Sequence, residues 1–303
     1  MIKFYIPDGH LEQPVVDLFA RAGFKIRVRE RAYAPEIDDK SITLKRIRPQ
    51  DFPFIIALGK GDLAITGTDI IKEFRLRNPK YGKNIVELLD LGLGKTKLCV
   101  AVSKDVMPHV RTVNDLAEYS RKKRELIVAT EYPNIAADYL KRKKIRAIIR
   151  KPAGKTEAWI IPPDPEADVV VDITETGRTL RENRCVVLDV VMEASAHVIA
   201  NRNSLRDPSK KRKIEEIVKL FKGALEAEGK VNVYMNVNNP KDLRDVLKVL
   251  SPYVKKPTVS ELWGGGYDIF IVIDEKELKY ILPKLVQEGA SSIATSDTRM
   301  IIK

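Results

Sequence analysis

The chain has 303 residues, enough for two or three domains with hydrophobic cores of ordinary size. Hydrophobic residues make up 44% and charged residues 32%, and no apolar run approaches the ~18 residues of a membrane helix, so disordered and membrane-spanning proteins are excluded. Two cysteines exclude a disulfide scaffold and a four-cysteine zinc site, and the N-terminal apolar stretch is too short for a signal peptide. We therefore expect a cytoplasmic protein without membrane association.

Lysine and arginine number 54 against 42 acidic residues, which gives a formal net charge of +12. A positive field attracts nucleic acids, acidic membrane surfaces and small phosphorylated ligands alike. The basic runs 121–124, 141–144 and 210–213 lie in stretches with helical periodicity and contain no interleaved aromatic residues, which is typical of solvated helix faces. We therefore expect no nucleic-acid partner.

The first part of the chain alternates predicted strands and helices. In order, these are strand 3–6, helix 12–22, strand 26–29, a helix beginning at 49, and strand 63–65. The two predicted helices end at Gly23 and Gly59, which is the residue type that most often follows a helix. Repeated β–turn–α units indicate a mostly parallel sheet covered by helices.

A second α/β unit is predicted from about Leu98 to Cys185. Its elements are strands 98–102, 126–129 and 169–172 and helix 134–142, followed by strands 185–192 and 196–201 and helix 208–228. Asn134 is the predicted N-cap of its helix. We expect two α/β lobes around a shared cleft, lobe I formed by residues 1–98 and 186–228 and lobe II by residues 99–185.

Residues 229–303 have a separate pattern that begins after Gly229. The predicted elements are strand 231–237, helix 240–250, strands 258–262 and 267–273, helix 275–288 and strand 291–294. This order is βαββαβ, the ferredoxin-like arrangement. The segment contains no cysteine or histidine, so we expect a regulatory domain.

The most informative stretch is 168–180. An apolar strand ends in Asp172 and passes into a loop with hydroxyl residues and Gly177, before a helix predicted to begin near Thr179. Glycine lets the backbone turn closely around a ligand, so that N–H groups converge on a phosphate, and a helix N-terminus adds partial positive charge. The hydroxyls of Thr176 and Thr179 and the charge of Arg178 complete this predicted cradle.

Asp172 has a different predicted task, which is to accept hydrogen bonds from the vicinal hydroxyls of a ribose. One acid for a sugar diol and one cradle for its 5′-phosphate describe a ribose-5-phosphate site, as phosphoribosyltransferases have for phosphoribosyl pyrophosphate (PRPP). An ordinary acid-capped turn is the alternative interpretation of the Thr-Gly-Arg-Thr sequence alone.

Further motifs lie in order along almost the whole chain. They are Ile6-Pro7-Asp8-Gly9-His10-Leu11, Arg48-Pro49-Gln50-Asp51-Phe52-Pro53, 61–67 (GDLAITG), 90–98 (DLGLGKTKL), Thr130-Glu131-Tyr132-Pro133-Asn134, Gly154-Lys155-Thr156-Glu157 and 193–201 (EASAHVIAN). Together with the loop at 168–180, they resemble ATP phosphoribosyltransferase, the first enzyme of histidine biosynthesis, in its long form with a C-terminal histidine-sensing domain.

The resemblance implies two lobes arranged like a periplasmic binding protein, with Mg²⁺ as cofactor and unknown metal ligands. It implies that N1 of the adenine of ATP attacks C1 of PRPP and releases pyrophosphate. Asp172 would bind the ribose diol, and Thr176, Gly177, Arg178 and Thr179 the 5′-phosphate. Glu157 would lie near the ribose or the metal, and Glu175 would orient the loop. A homo-oligomer, a dimer or hexamer, and inhibition by AMP are also implied.

The first turn departs from the family pattern. The family usually has Lys, Gly and Arg there, whereas this chain has Asp8, Gly9 and His10. We expect the nucleotide cleft to contain Gly9 and His10 together with Gly67 and Lys95. Either other basic residues, such as Lys60 or Lys95, replace the missing positive charge, or the nucleotide binds in a different position.

The C-terminal segment resembles the histidine-binding domain of the long form. Position by position, the resemblance places L-histidine, as feedback inhibitor, in a pocket between neighbouring subunits lined by Asn238, Val254, Thr258, Ile273 and Ser292. Asn238 is neutral where some members have an aspartate for the ammonium group of the effector. A domain that only assembles the oligomer is one alternative. A non-catalytic two-lobed protein that binds a phosphorylated small molecule is the alternative for the whole chain.

Overall fold

The structure is a computed structural model that describes residues 1–29, 32–122, 124–175 and 177–302. Its strands, in chain order, are β1 (Ile2–Pro7), β2 (Ile26–Arg27), β3 (Glu36–Ile37), β4 (Ile42–Ile47), β5 (Leu63–Gly67), β6 (Ile85–Asp90), β7 (Thr96–Ser103), β8 (Leu126–Thr130), β9 (Ala147–Arg150), β10 (Val169–Thr174), β11 (Cys185–Ala194), β12 (Ala196–Asn201), β13 (Lys230–Val237), β14 (Thr258–Glu261), β15 (Tyr267–Asp274) and β16 (Ala290–Asp297).

The α-helices are α1 (Glu12–Arg21), α2 (Phe52–Ala57), α3 (Thr68–Arg77), α4 (Pro79–Gly82), α5 (Val113–Lys122), α6 (Pro133–Arg142), α7 (Arg178–Glu182), α8 (Pro208–Glu226), α9 (Pro240–Leu250) and α10 (Leu278–Gln287). Short 3-10 helices occur at Gly9–Leu11, Pro49–Asp51, Thr156–Ile160 and Glu275–Glu277. No helix in the described ranges combines the length and the apolar character needed to cross a bilayer.

Lobe I is built on a five-stranded mixed sheet with the order β4-β1-β5-β12-β6. β4, β1 and β5 are parallel, and β12 is antiparallel to both of its neighbours. β5 is buried from Leu63 to Thr66, as expected for a central strand with helices on both faces. The side chains of Tyr5, Phe52 and Ile56 pack together on one face. The repeated β–turn–α pattern therefore predicted β1, β5 and their helices, but the sheet is mixed and not mostly parallel. The sequence analysis missed β4 and β6, and β2 pairs with β3 in a separate two-stranded sheet.

Lobe II has a second five-stranded mixed sheet, with the order β11-β7-β10-β8-β9. β10, β8 and β9 are parallel, whereas β7 runs antiparallel to both β10 and β11. The β11 ladder continues until Ala194 pairs with Thr96. The chain therefore returns to the lobe I sheet at Ser195, later than the boundary at 186 that the sequence suggested, because β11 and β12 form one nearly continuous extended stretch.

The C-terminal domain contains a four-stranded antiparallel sheet with the order β14-β15-β13-β16 and the helices α9 and α10. This confirms the predicted βαββαβ arrangement. Alternate residues of β13 (Val231, Val233, Met235 and Val237) are buried against the core. Asn239 caps α9, since its side-chain oxygen accepts hydrogen bonds from the N–H groups of Lys241 and Asp242.

Contacts divide the chain into two compact units, one of Met1–Asp17 with Lys25–Val218 and one of Leu18–Phe24 with Lys219–Lys303. In the second unit the rings of Phe19 and Phe24 meet Phe221 edge to face, with centroid distances of 4.8 and 6.5 Å. Arg299 donates hydrogen bonds to the carbonyl oxygens of Arg21 and Ala20. The sequence analysis began the C-terminal segment at 229 and missed these contacts, because they join residues far apart in the chain.

The Phe221→Ala variant should lose about 3–5 kcal/mol of unfolding free energy, because it removes a fully buried ring from this cluster and leaves a cavity. A urea titration followed by circular dichroism measures this loss. Phe54→Ala is the matched control, since Phe54 is 58% exposed and should change the free energy by less than about 1 kcal/mol. Equal losses in both variants would contradict the assignment of Phe221 to a core.

Candidate active site

The predicted acid lies where β10 leaves the interior of lobe II. Val169–Val171 are buried, and Asp172 is the first side chain of this strand that is half exposed. One oxygen of Asp172, Oδ1, accepts a hydrogen bond from the N–H of Ile173 at 2.8 Å. The apolar strand thus delivers a carboxylate to the edge of the sheet, as the sequence predicted.

The surroundings of Asp172 disfavour its charge. Burial raises the pKa of this carboxyl to about 6, the hydrogen bond from Ile173 opposes the shift, and the negative charges of Glu157 and Glu131 add to it. Asp172 is therefore an acid that titrates close to neutrality. Its anionic form gains from any ligand that supplies hydroxyl donors or positive charge.

Asp172 opens into a cleft of about 480 Å³. The cleft is lined by His10, Thr96, Glu157, Asp172, Ile173, Thr174, Glu175, Arg178, Thr179 and Leu180. It therefore brings together the predicted residues Glu157, Asp172, Glu175, Arg178 and Thr179, and it adds His10 from lobe I. Thr176 was also predicted here, and it lies outside the described residues.

A second cavity of about 610 Å³ adjoins the first, because Thr96 and Glu175 line both. Lys95 lies here, together with Thr68, Asp90 and His197 among others. The structure thus places Lys95 next to the cleft that contains Asp172, at the point where the chain passes from lobe I to lobe II.

The loop after Asp172 has the geometry that glycine permits. Gly177 has a φ of 70°, and its N–H donates to the hydroxyl of Thr174 at 2.8 Å. α7 begins one residue earlier than expected, at Arg178, and is only five residues long. Arg178 is exposed and pairs with Glu182 at 2.6 Å. A helix this short contributes little dipole. The positive charge and partial positive charge of this loop therefore come from the guanidinium of Arg178 and from the N–H and O–H groups of the loop.

The first turn gains positive charge from a neighbouring strand. Gly9–Leu11 form a 3-10 helix, and Arg48, just after β4, lies 3.9 Å from the carboxylate of Asp8. Lys60, which the sequence analysis offered as compensation, lines a different groove with Lys3 and Lys45. The sequence analysis missed Arg48 because its position depends on strand order. β4 pairs with β1, so the carboxyl ends of both strands reach the same edge of the sheet.

Gly67 has a structural explanation that involves no ligand. A Cβ atom at this position would lie 2.2 Å from a carboxylate oxygen of Asp69. Asp69 is only 7% exposed, and it accepts a hydrogen bond of 2.6 Å from the hydroxyl of Tyr132 in lobe II. Burial raises the pKa of Tyr132, and the charges of Asp69 and Asp172 raise it further. Sequence reasoning missed this contact between the lobes, although both residues lie in or beside the quoted motifs.

Asn134 is not the N-cap that the sequence suggested. α6 begins at Pro133, and Asn134 lies in its first turn. Its backbone and side-chain N–H groups donate to Glu73 of lobe I. The capping group therefore comes from another part of the chain.

The predicted histidine-pocket residues are spread over the C-terminal domain. Thr258 begins β14 and Ser292 lies on β16, which form opposite edges of the sheet. Ile273 is 4% exposed within the core, and Val254 packs against that core. Asn238 is exposed and follows β13. One chain alone does not bring Thr258 and Ser292 together, so a pocket with both requires a second subunit, and this site stays a prediction.

The donor set of the cleft fits a magnesium ion that arrives with its substrate. No group of three or more His, Cys, Asp or Glu side chains in the described part of the chain forms a ready-made metal site. Asp172 and Glu157 nevertheless supply carboxylate oxygens to one cleft. Mg²⁺ is commonly bound by one or two carboxylates together with substrate phosphates.

Two α/β lobes, and a cleft with an acid and a glycine-containing hydroxyl loop, are typical of proteins that bind a phosphorylated sugar. The profile of the family ATP phosphoribosyltransferase (HisG) matches residues 48–223, and that of the HisG C-terminal domain matches residues 227–298. This chain belongs to the ATP phosphoribosyltransferase family, in the long form that carries the C-terminal domain.

Curated relatives and a solved structure agree with this assignment. The ATP phosphoribosyltransferase of Archaeoglobus fulgidus is 41% identical over 251 residues, which cover 82% of this chain and 88% of that protein. That of Geotalea daltonii is 34% identical over 308 residues, with 100% and 99% covered. The ATP phosphoribosyl transferase (HisG:HisZ) complex from Thermotoga maritima contains a chain with 26% identity and a TM-score of 0.58, with 73% of this chain and 98% of that chain covered.

The Glu157→Gln variant should lower the pKa of Asp172, because one of the negative charges that raise it is removed. The folded chain keeps the Asp172 proton to higher pH than the unfolded chain, so unfolding free energy falls as pH rises from about 4 to about 6. That fall should be smaller in Glu157→Gln. A carbon-13 NMR titration of labelled aspartate measures the pKa directly. Glu166→Gln removes an exposed charge nearby as a control, and equal shifts in both variants would contradict the specific pairing.

Proposed function

We propose that this chain transfers the phosphoribosyl group of PRPP to N1 of the adenine of ATP, with release of pyrophosphate, in the cleft at the carboxyl end of β10. The family catalyses this first step of histidine biosynthesis, and the chain matches its catalytic and C-terminal domains. The observation that carries the residue assignment is that Asp172, Glu157, Glu175, Arg178 and Thr179 line one cleft.

Asp172 binds the ribose. Its carboxylate accepts hydrogen bonds from the two vicinal hydroxyls, which recover the solvation that burial removes. Because the ribose centre becomes positive as pyrophosphate leaves, negative charge on Asp172 and Glu157 stabilises the transition state more than the ground state. The chain therefore acts by positioning and electrostatics, and no side chain forms a covalent bond to the sugar.

The loop binds the 5′-phosphate. Arg178 supplies the guanidinium donors, and Thr179 and Thr176 supply hydroxyl donors. The N–H of Gly177 supplies an amide donor by exchanging the hydroxyl of Thr174 for the phosphate. Arg178 must exchange Glu182 for the phosphate. That exchange is easy, because an exposed pair of this spacing is worth only about 0.3–0.5 kcal/mol, whereas guanidinium and phosphate form strong charge-assisted hydrogen bonds.

The nucleotide and the leaving group need positive charge nearby. Lys95 and His10 line the two adjoining cavities and serve the polyphosphates, and Arg48 adds positive charge at the first turn, where it lies near Asp8. Gly9, with a φ of 77°, forms the first turn next to His10, which lines the cleft. Asp172 and Glu157 would hold Mg²⁺ together with the pyrophosphate oxygens, and the bound ion would neutralise charge that accumulates on the leaving group.

L-Histidine acts as feedback inhibitor through the C-terminal domain. The match to the HisG C-terminal domain supports this regulation. The pocket of Asn238, Val254, Thr258, Ile273 and Ser292 forms between subunits of a homo-oligomer, because β14 and β16 lie at opposite edges of one sheet. AMP, which shares the adenosine part of ATP, competes for the nucleotide cleft.

The Asp172→Asn variant should lower kcat/KM for PRPP by about 10- to 150-fold. This range corresponds to the loss of about 1.5–3 kcal/mol from hydrogen bonds to a charged group. The assay mixes enzyme, ATP, PRPP and Mg²⁺ and follows the ultraviolet change as adenine N1 is substituted. Asp138→Asn, an exposed carboxylate on α6 paired with Arg142, is the control and should leave kinetics unchanged. Normal turnover in Asp172→Asn would remove the ribose assignment.

Histidine inhibition should respond to bulk at the predicted pocket. Thr258→Trp and Ser292→Trp should raise the histidine concentration for half-inhibition at least tenfold and leave uninhibited turnover unchanged. Ser296→Trp, four residues further along β16 and exposed, is the matched control. Inhibition that stays the same in all three variants would place the effector elsewhere.

A further inference from the structure

We propose that Glu73 on α3 is a positioning residue for the transfer reaction. By capping α6, it fastens lobe I to lobe II and holds the turn Glu131–Asn134 beside Asp172. This inference rests on the proposed function, because that function assigns Asp172 to the ribose. We call the contact between Glu73 and the first turn of α6 the interlobe cap.

The interlobe cap uses both oxygens of one carboxylate. Oε1 of Glu73 accepts hydrogen bonds from the backbone N–H of Asn134 at 2.9 Å and from its side-chain amide at 2.7 Å. Oε2 accepts from the N–H of Ile135 at 2.8 Å. Among the described contacts, Tyr132 at the N-cap position makes no side-chain cap of its own. The free N–H groups of α6 therefore depend on a carboxylate from the other lobe.

A second carboxylate on the same helix face reaches the same turn. Asp69 lies four residues before Glu73 on α3, which places both side chains on one side of the helix. Asp69 accepts the hydrogen bond from the hydroxyl of Tyr132 at 2.6 Å. The absence of a Cβ on Gly67 leaves room for the Asp69 carboxylate. α3 thus presents two acceptors that match the donors of the Glu131–Asn134 turn.

The position of that turn determines what surrounds Asp172. β8 and β10 are parallel neighbours, with Thr130 opposite Val171, so Glu131 and Asp172 are the next residues at the same sheet edge. The hydroxyl of Thr130 accepts from the N–H of Tyr132 at 2.9 Å and fixes the start of the turn. The charges of Asp172 and Glu131 act on each other across this short distance. Movement of the turn therefore changes the electrostatics of the ribose-binding carboxylate.

The cap differs from an ordinary helix cap because it joins two lobes. If the two lobes bind PRPP only in the arrangement that the interlobe cap holds, loss of the cap populates arrangements that do not bind PRPP. The apparent affinity for PRPP then falls in proportion to the fraction of molecules that stay in the binding arrangement. The expected signature is a rise in KM for PRPP larger than the fall in kcat. A cap that only stabilises α6 would lower stability and leave KM unchanged.

The test compares Glu73→Ala and Glu73→Gln in the full chain. Glu73→Ala should raise KM for PRPP about tenfold, change kcat less than threefold, and speed amide exchange at Asn134 and Ile135. Glu73→Gln should lie between Glu73→Ala and the parent chain. Its amide oxygen still accepts from Asn134, but its NH₂ group cannot accept from Ile135.

Asp115→Ala is the matched control. The carboxylate of Asp115 accepts from the N–H groups of Arg111 and Thr112 at 3.0 and 2.9 Å, so it is a cap of the same chemistry inside lobe II. This variant should lose stability without a change in KM for PRPP. If Glu73→Ala behaves like Asp115→Ala, with lower thermal stability and the parent KM, the positioning role is wrong.

Two further measurements separate this inference from the proposed function. Small-angle X-ray scattering should show a larger radius of gyration for Glu73→Ala than for the parent chain, and amide exchange requires no turnover. If Glu73→Ala shows neither a larger radius of gyration nor faster amide exchange, the inference is wrong, even if the enzyme is active. A parent chain with no transferase activity would defeat the proposed function, whereas scattering and exchange would still decide whether Glu73 joins the lobes.

Discussion

The site depends on the cost of a carboxylate charge at the end of a buried strand. Val169–Val171 are enclosed between neighbouring strands, so the first polar side chain of β10, Asp172, emerges beside the sheet and not in open solvent. Burial and two nearby acids keep its pKa close to 6. A ligand with vicinal hydroxyls and an associated cation would offset this cost, which agrees with the ribose and the Mg²⁺ that the proposed function assigns to this cleft.

Opposite charges are separated within the site. In the proposed function, Asp172 and Glu157 lie where positive charge develops on the ribose. Arg178 lies in the same cleft and binds the 5′-phosphate, whereas Lys95 lines the adjoining cavity and serves the polyphosphates. Since the reaction moves negative charge from the sugar to pyrophosphate, this separation favours the transition state at both ends. The family match supplies the chemistry, and the proposed roles of these side chains agree with the charges that the reaction develops.

Patterns local in sequence predicted the fold well, and contacts between distant residues escaped them. The βαββαβ order of the C-terminal domain and the buried strand that carries Asp172 follow from hydrophobic patterns and turn residues alone, although β10 continues to Thr174, beyond its predicted end at Asp172. The role of Glu73 did not, because no pattern within α3 shows which helix start its carboxylate meets. Gly67 illustrates the same limit: a glycine in a motif suggested a ligand, and the structure explains it by the neighbouring carboxylate of Asp69.

Tyr132 shows how Asp69, the second carboxylate of α3, affects Asp172. A phenol has one O–H group, and the structure commits that group to Asp69. Its raised pKa keeps the proton on Tyr132, so the phenol stays neutral between two acids. Because the O–H points to Asp69, Tyr132 uses none of the acceptor capacity of Asp172, which the proposed function assigns to the ribose hydroxyls. The hydrogen bond from Tyr132 to Asp69 therefore leaves the acceptor capacity of Asp172 available to a ligand.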